Sequence, residues 1–285
     1  MRRCANGTAV PELAVRRAAL IVAYDGTAYS GLQAQRHDPQ TIQQRIEKAS
    51  AALGCAAPDF EACGRTDSGV HAEGQVVALN VPTRMEDRRI APAFNRYLPD
   101  DIRVLRAVTC ADDFSPRHHA IMRTYVYRFT ERTEPPPAMR FAVAQLGWEL
   151  DPDLACAAAT AFVGHREMAA WRSSICQAKR TLLTIDDATV FAPDFTGIEP
   201  RPYWILRFRA RSFLHHQVRL MTGAVIAVGC GRIPLDALVR ALAEGTRPAL
   251  VKMEAACGLT FRSVDFAPGK SPFDAQPTDD VGPGL

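Results

Sequence analysis

No stretch of this 285-residue chain is apolar enough to cross a bilayer. The longest apolar runs, 18–23 and 224–228, fall far short of the roughly 20 residues a spanning helix needs. Arg2 and Arg3 carry the charge of a signal peptide, but the apolar stretch that must follow is missing. The expectation is a soluble, cytoplasmic protein. No two of the eight cysteines, at 4, 55, 63, 110, 156, 176, 230 and 257, stand in Cys-x-x-Cys spacing. That argues against a zinc ribbon or a thioredoxin-type site and for free thiols in a reducing compartment. Lysine is scarce: of 34 basic residues only Lys48, Lys179, Lys252 and Lys270 are lysine.

What is present fits a folded body. Hydrophobic residues make up 47% and charged residues 23%, which excludes a wholly disordered chain and supplies a sizeable core. Net charge is +3. The last stretch, from Asp265, is acidic and rich in Pro and Gly, so the body without it is more basic. The excess of Arg has two readings: GC-rich coding, or a planar fork that binds phosphate at two points.

Hydrophobic periodicity orders the chain. Residues 1–16 form a loose arm. An apolar run at 18–24 ends at Asp25-Gly26 and reads as a strand and turn. Thr41 and Gln44 form a capping box, followed by Ile42, Ile46, Ala49 and Leu53 at helical spacing over 41–53. Residues 74–81 alternate, with Val77, Leu79 and Val81 on one face. Ile90, Phe94 and Tyr97 predict a second helix with Pro92 near its first turn, and 102–105 predicts a strand. A second half begins near 113. It has a strand at 123–129 carrying Tyr125, Tyr127 and Phe129 together, and a helix face of Leu154, Ala158, Ala161 and Phe162. Strands follow near 181–191 and 203–213, helices near 214–228 and 234–243, and a last strand near 257–264. The division is an arm at 1–16, halves at 17–112 and 113–267, and a disordered acidic tail at 268–285. Strands interleaved with amphipathic helices imply an α+β fold. Helices cover one face of a mostly antiparallel sheet, and the other face is left open as a platform for a large ligand. No internal repeat shows in the letters.

The densest polar segment is Gly64-Arg65-Thr66-Asp67-Ser68-Gly69-Val70-His71-Ala72. Glycines there permit positive φ and close approach of a ligand. Arg65 nearby would keep Asp67 ionised and available as a nucleophile. The plainer reading is an Asp that hydrogen-bonds its own turn. Along 204–213, Trp204, Leu206, Phe208 and Ala210 point one way and Arg207, Arg209 and Arg211 the other. That places three guanidiniums about 7 Å apart, either as a row of phosphate contacts or as a solvated outer face. His118-His119 and His215-His216 are adjacent pairs whose side chains diverge on a strand and stand about 100° apart on a helix. With no His-Glu-x-x-His spacing, no metal is expected.

The Gly-Arg-Thr-Asp-x-Gly-Val-His-Ala segment resembles the signature of TruA-type tRNA pseudouridine synthases. Four further blocks follow in that family's order. They are Tyr24-Asp25-Gly26-Thr27-x-Tyr29-x-Gly31 with Gln33 and Gln35, Asn95-x-x-Leu98-Pro99-x-Asp101-Ile102, Arg123-x-Tyr125-x-Tyr127, and Phe213-Leu214-His215-His216-Gln217-Val218-Arg219. The resemblance covers roughly 18–266. Leu32 stands where relatives often carry an aromatic residue, and Trp171 where Phe is usual.

The resemblance implies a tRNA-modifying isomerase that converts uridine to pseudouridine at positions 38 to 40 of the anticodon arm, with no cofactor. It implies two α+β halves around a basic cleft and a homodimer bound to tRNA. It makes Asp67 the catalytic carboxylate, attacking either ribose C1′ or uracil C6. Arg65 becomes a phosphate or base-positioning group, and Tyr125 stacks on the uracil and helps remove the C5 proton. Arg219 pairs with Asp67, and His215 and His216 pack around the cleft. Without the resemblance, Tyr125 reads as a core aromatic and Arg219 as a solvated helix charge. The rival functions are a non-catalytic RNA-binding chaperone and a nucleoside glycosylase.

Overall fold

The computed structural model describes residues 14–35, 40–55, 58–82, 84–196 and 200–274. The first half runs β1 (Val15–Tyr24), α1 (Ile42–Ala52), β2 (Glu61–Ala62), β3 (His71–Pro82), α2 (Asp87–Asn95) and β4 (Ile102–Thr109). The second runs β5 (Ala120–Thr130), β6 (Ala144–Gln145), α3 (Pro152–Thr160), β7 (Gly164–Glu167), β8 (Leu182–Ile185), β9 (Asp187–Phe191), β10 (Trp204–Ala210), α4 (Gln217–Gly229), α5 (Leu235–Ala243) and β11 (Leu259–Phe266). This is an α+β fold. Seven of the strands run in the order β4-β1-β3-β11-β5-β10-β9, with β2 beside β3 and β6 beside β5, while β7 and β8 pair separately.

The strand order holds a repeat that the letters hide. In the first half the opening strand, β1, lies between β3 and β4. In the second half the opening strand, β5, lies between β10 and β11. Each opening strand is thus flanked by the last strand before the second helix of its half and by the last strand of its half. The halves meet where β11 runs parallel to β3, through Thr260 opposite His71 and Phe261 opposite Ala72. This short joint lies directly after the Asp67 loop.

Local chemistry explains the elements. Thr41 and Gln44 close both arms of the capping box at the start of α1, whose Ile42, Ile46 and Ala49 are buried. On β5, Tyr125, Tyr127 and Phe129 are buried. Across the ladder they face Phe208, Leu206 and Trp204 of β10. Fully burying a side chain of this size contributes about 1.5–3 kcal/mol, which fixes the register. The alternate residues of β10, Ile205, Arg207 and Arg209, are only half-buried. One sheet face is therefore core and the other is open. Leu32 and Trp171 are both buried, and Trp171 meets Phe162 edge-on with centroids 4.8 Å apart.

Several expectations need correction. Tyr97 lies past the end of α2 and is exposed, and Pro92 sits six residues into that helix rather than in its first turn. Leu154 is exposed. The buried face of α3 is Ala155, Ala158 and Ala159, because small side chains let α3 lie close to α4. β10 stops at Ala210, so Arg211 is outside the strand. The segment 268–274, expected to open a disordered tail, folds back: the Phe273 carbonyl accepts from Arg106, whose guanidinium lies 5.5 Å from the Phe273 ring centroid. β1 begins inside the expected arm, at Val15. The rest of the arm, 1–13, and of the tail, 275–285, lies outside the described residues. Among the described residues no helix is long and apolar enough to cross a membrane.

Candidate active site

The loop between β2 and β3 carries Asp67, and the sequence blocks singled out above are the parts that hold it. Tyr24, at the end of β1, shares a 2.7 Å hydrogen bond with the Thr66 hydroxyl. Burial pushes the Tyr24 hydroxyl up to about 12, so it stays protonated. The Leu32 amide donates to the Thr66 carbonyl, and the Gly69 amide and Ser68 hydroxyl donate to the Tyr29 carbonyl. Tyr29 in turn donates to Asp101 at 2.6 Å, and the Asp25 amide donates to the Asp101 carbonyl. Asn95 closes this brace by exchanging two hydrogen bonds with the Val104 backbone. Gly26 is required for closeness: a Cβ there would stand 2.0 Å from the Val70 carbonyl oxygen.

The base of the loop is tied from the other half. Arg123 of β5 donates twice to the Cys63 carbonyl and once each to the Arg117 and Arg211 carbonyls. Gln75, fully buried on β3, bonds both the amide and the carbonyl of Gly64. Reading the sequence missed Gln75 and gave Arg123 only as part of a block, without its task. A wholly polar side chain inside an apolar alternating strand was the available signal, since buried polar groups must be partnered.

Asp67 lies on the wall of a groove of about 610 Å³, a size ordinary for ligand clefts of roughly 300–1,000 Å³. Arg65, Arg117, Tyr125, Phe213, His215 and Arg219 are among the residues lining it. The His215 Nε2 stands 3.1 Å from Asp67 Oδ1. The His216 Nε2 stands 3.5 Å, and an Arg219 guanidinium nitrogen 4.0 Å, from Oδ2. Arg219 is itself aimed by a 2.7 Å hydrogen bond from Nε to the Glu254 carbonyl. The structure therefore brings Arg219 to Asp67, as expected. Arg65 is exposed on the rim and is not among the ion-pair partners of Asp67 within 4.0 Å.

Tyr125 is both a buried aromatic and a groove residue. It meets Phe213 and Phe261 edge-on, with centroids 5.2 and 5.1 Å away. Burial pushes its hydroxyl far above the ordinary tyrosine range.

The adjacent histidines do not diverge. Their rings stack with centroids 3.8 Å apart. His216 has φ 65°, a left-handed conformation outside both strand and helix, and this turns both Nε2 atoms onto one carboxylate. Burial pulls the His216 pKa below its ordinary value, helped by the charge of Arg219 and opposed by that of Asp67. Asp67, His215 and His216 are close enough to form a three-donor cluster. The Arg219 guanidinium already supplies positive charge on the Oδ2 side.

The row of Arg207, Arg209 and Arg211 does not join this site. Arg207 and Arg209 lie on the open sheet face, opposite to Tyr125, and are held by Asp187 at 3.0 Å and Asp265 at 2.9 Å. Arg207 also lies 5.3 Å from the Phe191 ring centroid. Arg211 is exposed beyond the strand end. The open face is thus not where the carboxylate sits; the groove lies on the face that buries Tyr127 and Phe208.

One carboxylate set among imidazoles and a guanidinium, in a groove between two α+β halves, has the layout of an enzyme site built on a single acidic side chain. The sequence model of the family described as tRNA pseudouridine synthase matches residues 20–118 and 158–267. The chain is 38% identical over 248 residues to tRNA pseudouridine synthase A of Caulobacter sp. strain K31, covering 87% of this chain and 96% of that protein. It is 37% identical over 253 residues to the protein of the same name from Methylobacterium radiotolerans, covering 88% and 98%. It is likewise 37% identical over 248 residues to that from Rhodopseudomonas palustris strain BisA53, covering 87% and 98%. The chain belongs to the tRNA pseudouridine synthase family and is an isomerase.

Proposed function

We propose that this protein isomerises uridine to pseudouridine in tRNA, at positions 38 to 40 of the anticodon arm, with Asp67 as the catalytic carboxylate. In this reaction the N1–C1′ bond breaks, the base turns, and C5 bonds to C1′. The C5 proton leaves and N1 takes one up, so nothing is added or lost and no cofactor is called for. The carboxylate forms or stabilises the intermediate between the two bonds. The observation that carries the reading is the position of Asp67: it is placed by one half of the fold and faced by His215, His216 and Arg219 of the other.

Arg219 sets a guanidinium 4.0 Å from Asp67 Oδ2, a counter-charge that stays in place when substrate displaces water. A target base must leave its stack at a cost of a few kcal/mol. Stacking on Tyr125 returns about 1–3 kcal/mol. Arg65, exposed at the rim, meets a phosphate or the base. A homodimer in the cytoplasm gives an RNA this large a broader basic surface than one subunit of modest charge.

The test is to incubate unmodified tRNA with the protein and map pseudouridine by carbodiimide reactivity. The expected result is modification at positions 38 to 40, lost in Asp67→Asn while tRNA affinity stays within a few fold. Release of free uracil would indicate a glycosylase. Tight binding by the wild-type protein without product would indicate a chaperone.

A further inference from the structure

Among the described residues, side chains of the kind that hold a metal come together in one place: Asp67, His215 and His216, whose ligand atoms all lie within 4.8 Å of one another. Their spacing is that of a coordination shell. Zn²⁺ takes nitrogen at about 2.0–2.1 Å and carboxylate oxygen at about 2.0–2.2 Å, which in a tetrahedron sets neighbouring donors about 3.4 Å apart. His215 Nε2 stands 3.1 Å from Asp67 Oδ1, and His216 Nε2 stands 3.5 Å from Oδ2. The two rings stack at 3.8 Å, so both present a nitrogen toward the same carboxylate. All three side chains are half-buried on the wall of the groove, which leaves a further position open to water.

The fold sets these donors in advance. His216 has φ 65°, a conformation costly for a residue with a β-carbon, and its side chain caps no amide of α4. The turn around it is locked: the fully buried Gln217 accepts from the Leu214 amide at 2.7 Å, and the His215 carbonyl accepts from the Ser173 amide at 3.0 Å. Spacing along the chain carried no metal signal, because neighbouring side chains diverge in any regular element and only the left-handed residue turns this pair together.

We propose that Asp67, His215 and His216 form a binding site for a late first-row divalent cation such as Zn²⁺, and that its occupancy silences the isomerisation. The silencing rests on the assignment of Asp67 to that reaction; the binding does not. Two imidazoles and one carboxylate suit Zn²⁺, Co²⁺, Ni²⁺ and Cu²⁺, whereas Mg²⁺ and Ca²⁺ seek shells of oxygen. Each imidazole donates its Nε2 lone pair and keeps its proton on Nδ1, and no electron is transferred. Arg219, 4.0 Å from Oδ2, opposes the cation, so the site is reversible and weaker than a structural zinc centre. A bound cation occupies the carboxylate oxygens, and Asp67 can no longer engage a uridine. Cation and target base therefore exclude one another, and by linkage each lowers the affinity for the other.

The experiment uses the full-length protein without an affinity tag. The probe is Co²⁺, which stands in for Zn²⁺ and reports its shell by visible absorption. One equivalent should give the strong bands of a four- or five-coordinate ion; excess Mg²⁺ should leave them unchanged, and tRNA should bleach them. Asp67→Asn, His215→Gln and His216→Asn each remove one donor, and Asn tolerates the left-handed φ. Each should weaken Co²⁺ binding more than about tenfold, since even a group that only supports a metal ligand is worth that much. Circular dichroism identifies a variant that has lost its fold, and the others then decide. Zn²⁺ should stop pseudouridine formation by the wild type and a chelator should restore it. In His216→Asn, half-inhibition should need more than about tenfold more Zn²⁺. Weak, non-saturating Co²⁺ absorbance would overturn the proposal. So would binding that is equal in all three variants, or the near-ultraviolet band of a cobalt–thiolate bond, which would put the ion on cysteine. Binding lost in the variants but without inhibition of the wild type by Zn²⁺ would overturn the silencing. A wild-type protein that binds Co²⁺ as described yet makes no pseudouridine would instead defeat the assignment of Asp67.

Discussion

Two faces of the same pair of strands treat arginine and its neighbours in opposite ways. On the inward face of β5 and β10 stand Tyr125, Tyr127, Phe208 and Leu206, all buried. On the outward face stand Thr124, Val126, Arg207 and Arg209, and the two arginines are spent on Asp187 and Asp265. The guanidiniums that serve the groove are of another kind. Arg123 and Arg219 are anchored on backbone carbonyls. A carbonyl fixes the direction of a guanidinium without cancelling its charge, whereas a carboxylate cancels it. Charge at the site is thus decided by what the fold places opposite an arginine, not by how many arginines a strand carries.

Three substitutions beyond Asp67→Asn bear on this contrast. The largest effect is expected from Gly26→Ala. The new Cβ would meet the Val70 carbonyl oxygen, so loop and strand must part. A stability loss of roughly 1–3 kcal/mol should show in thermal unfolding, with a larger fall in turnover, because the loop carries Asp67. An unchanged melting temperature would mean the loop is not braced there. Next comes Tyr125→Phe. The ring and its edge-on contacts persist while the hydroxyl is lost, so tRNA affinity should hold and single-turnover rates should fall. Normal turnover would remove the hydroxyl from the mechanism. The smallest effect is expected from Arg207→Ala with Arg209→Ala. Both pairs are half-exposed ion pairs, worth about 0–1 kcal/mol each, and turnover should stay within about twofold, by the same modest magnitude. A marked loss of tRNA affinity with a shallower salt dependence would give the open face a share in RNA binding.

Much of the scaffold was legible because it is local. The capping box at Thr41 and Gln44, the alternation on β5 and β10, and the helical spacing of Ile42 and Ile46 are short-range chemistry, and each appears where its pattern places it. The failures were also physical. Leu154 follows the helical spacing but is exposed, because α3 needs only its small residues against α4. The histidine pair was read as divergent because regular strands and helices make neighbours diverge, and His216 is in neither.

What the sequence determined by itself was the inventory: a carboxylate in a glycine-framed loop, an aromatic strand, and a histidine and arginine block at the start of a helix. Spacing along a chain sets which groups share a face of one element. It does not set which elements meet. Only the tertiary structure decided that the first-half loop lies under the second-half helix, through a parallel joint of two residue pairs between β3 and β11. And only it decided that Asp67 faces His215, His216 and Arg219 while Arg207 and Arg209 face away. A side chain's partners are fixed by contacts between residues more than a hundred positions apart, and those depend on the packing of the whole sheet.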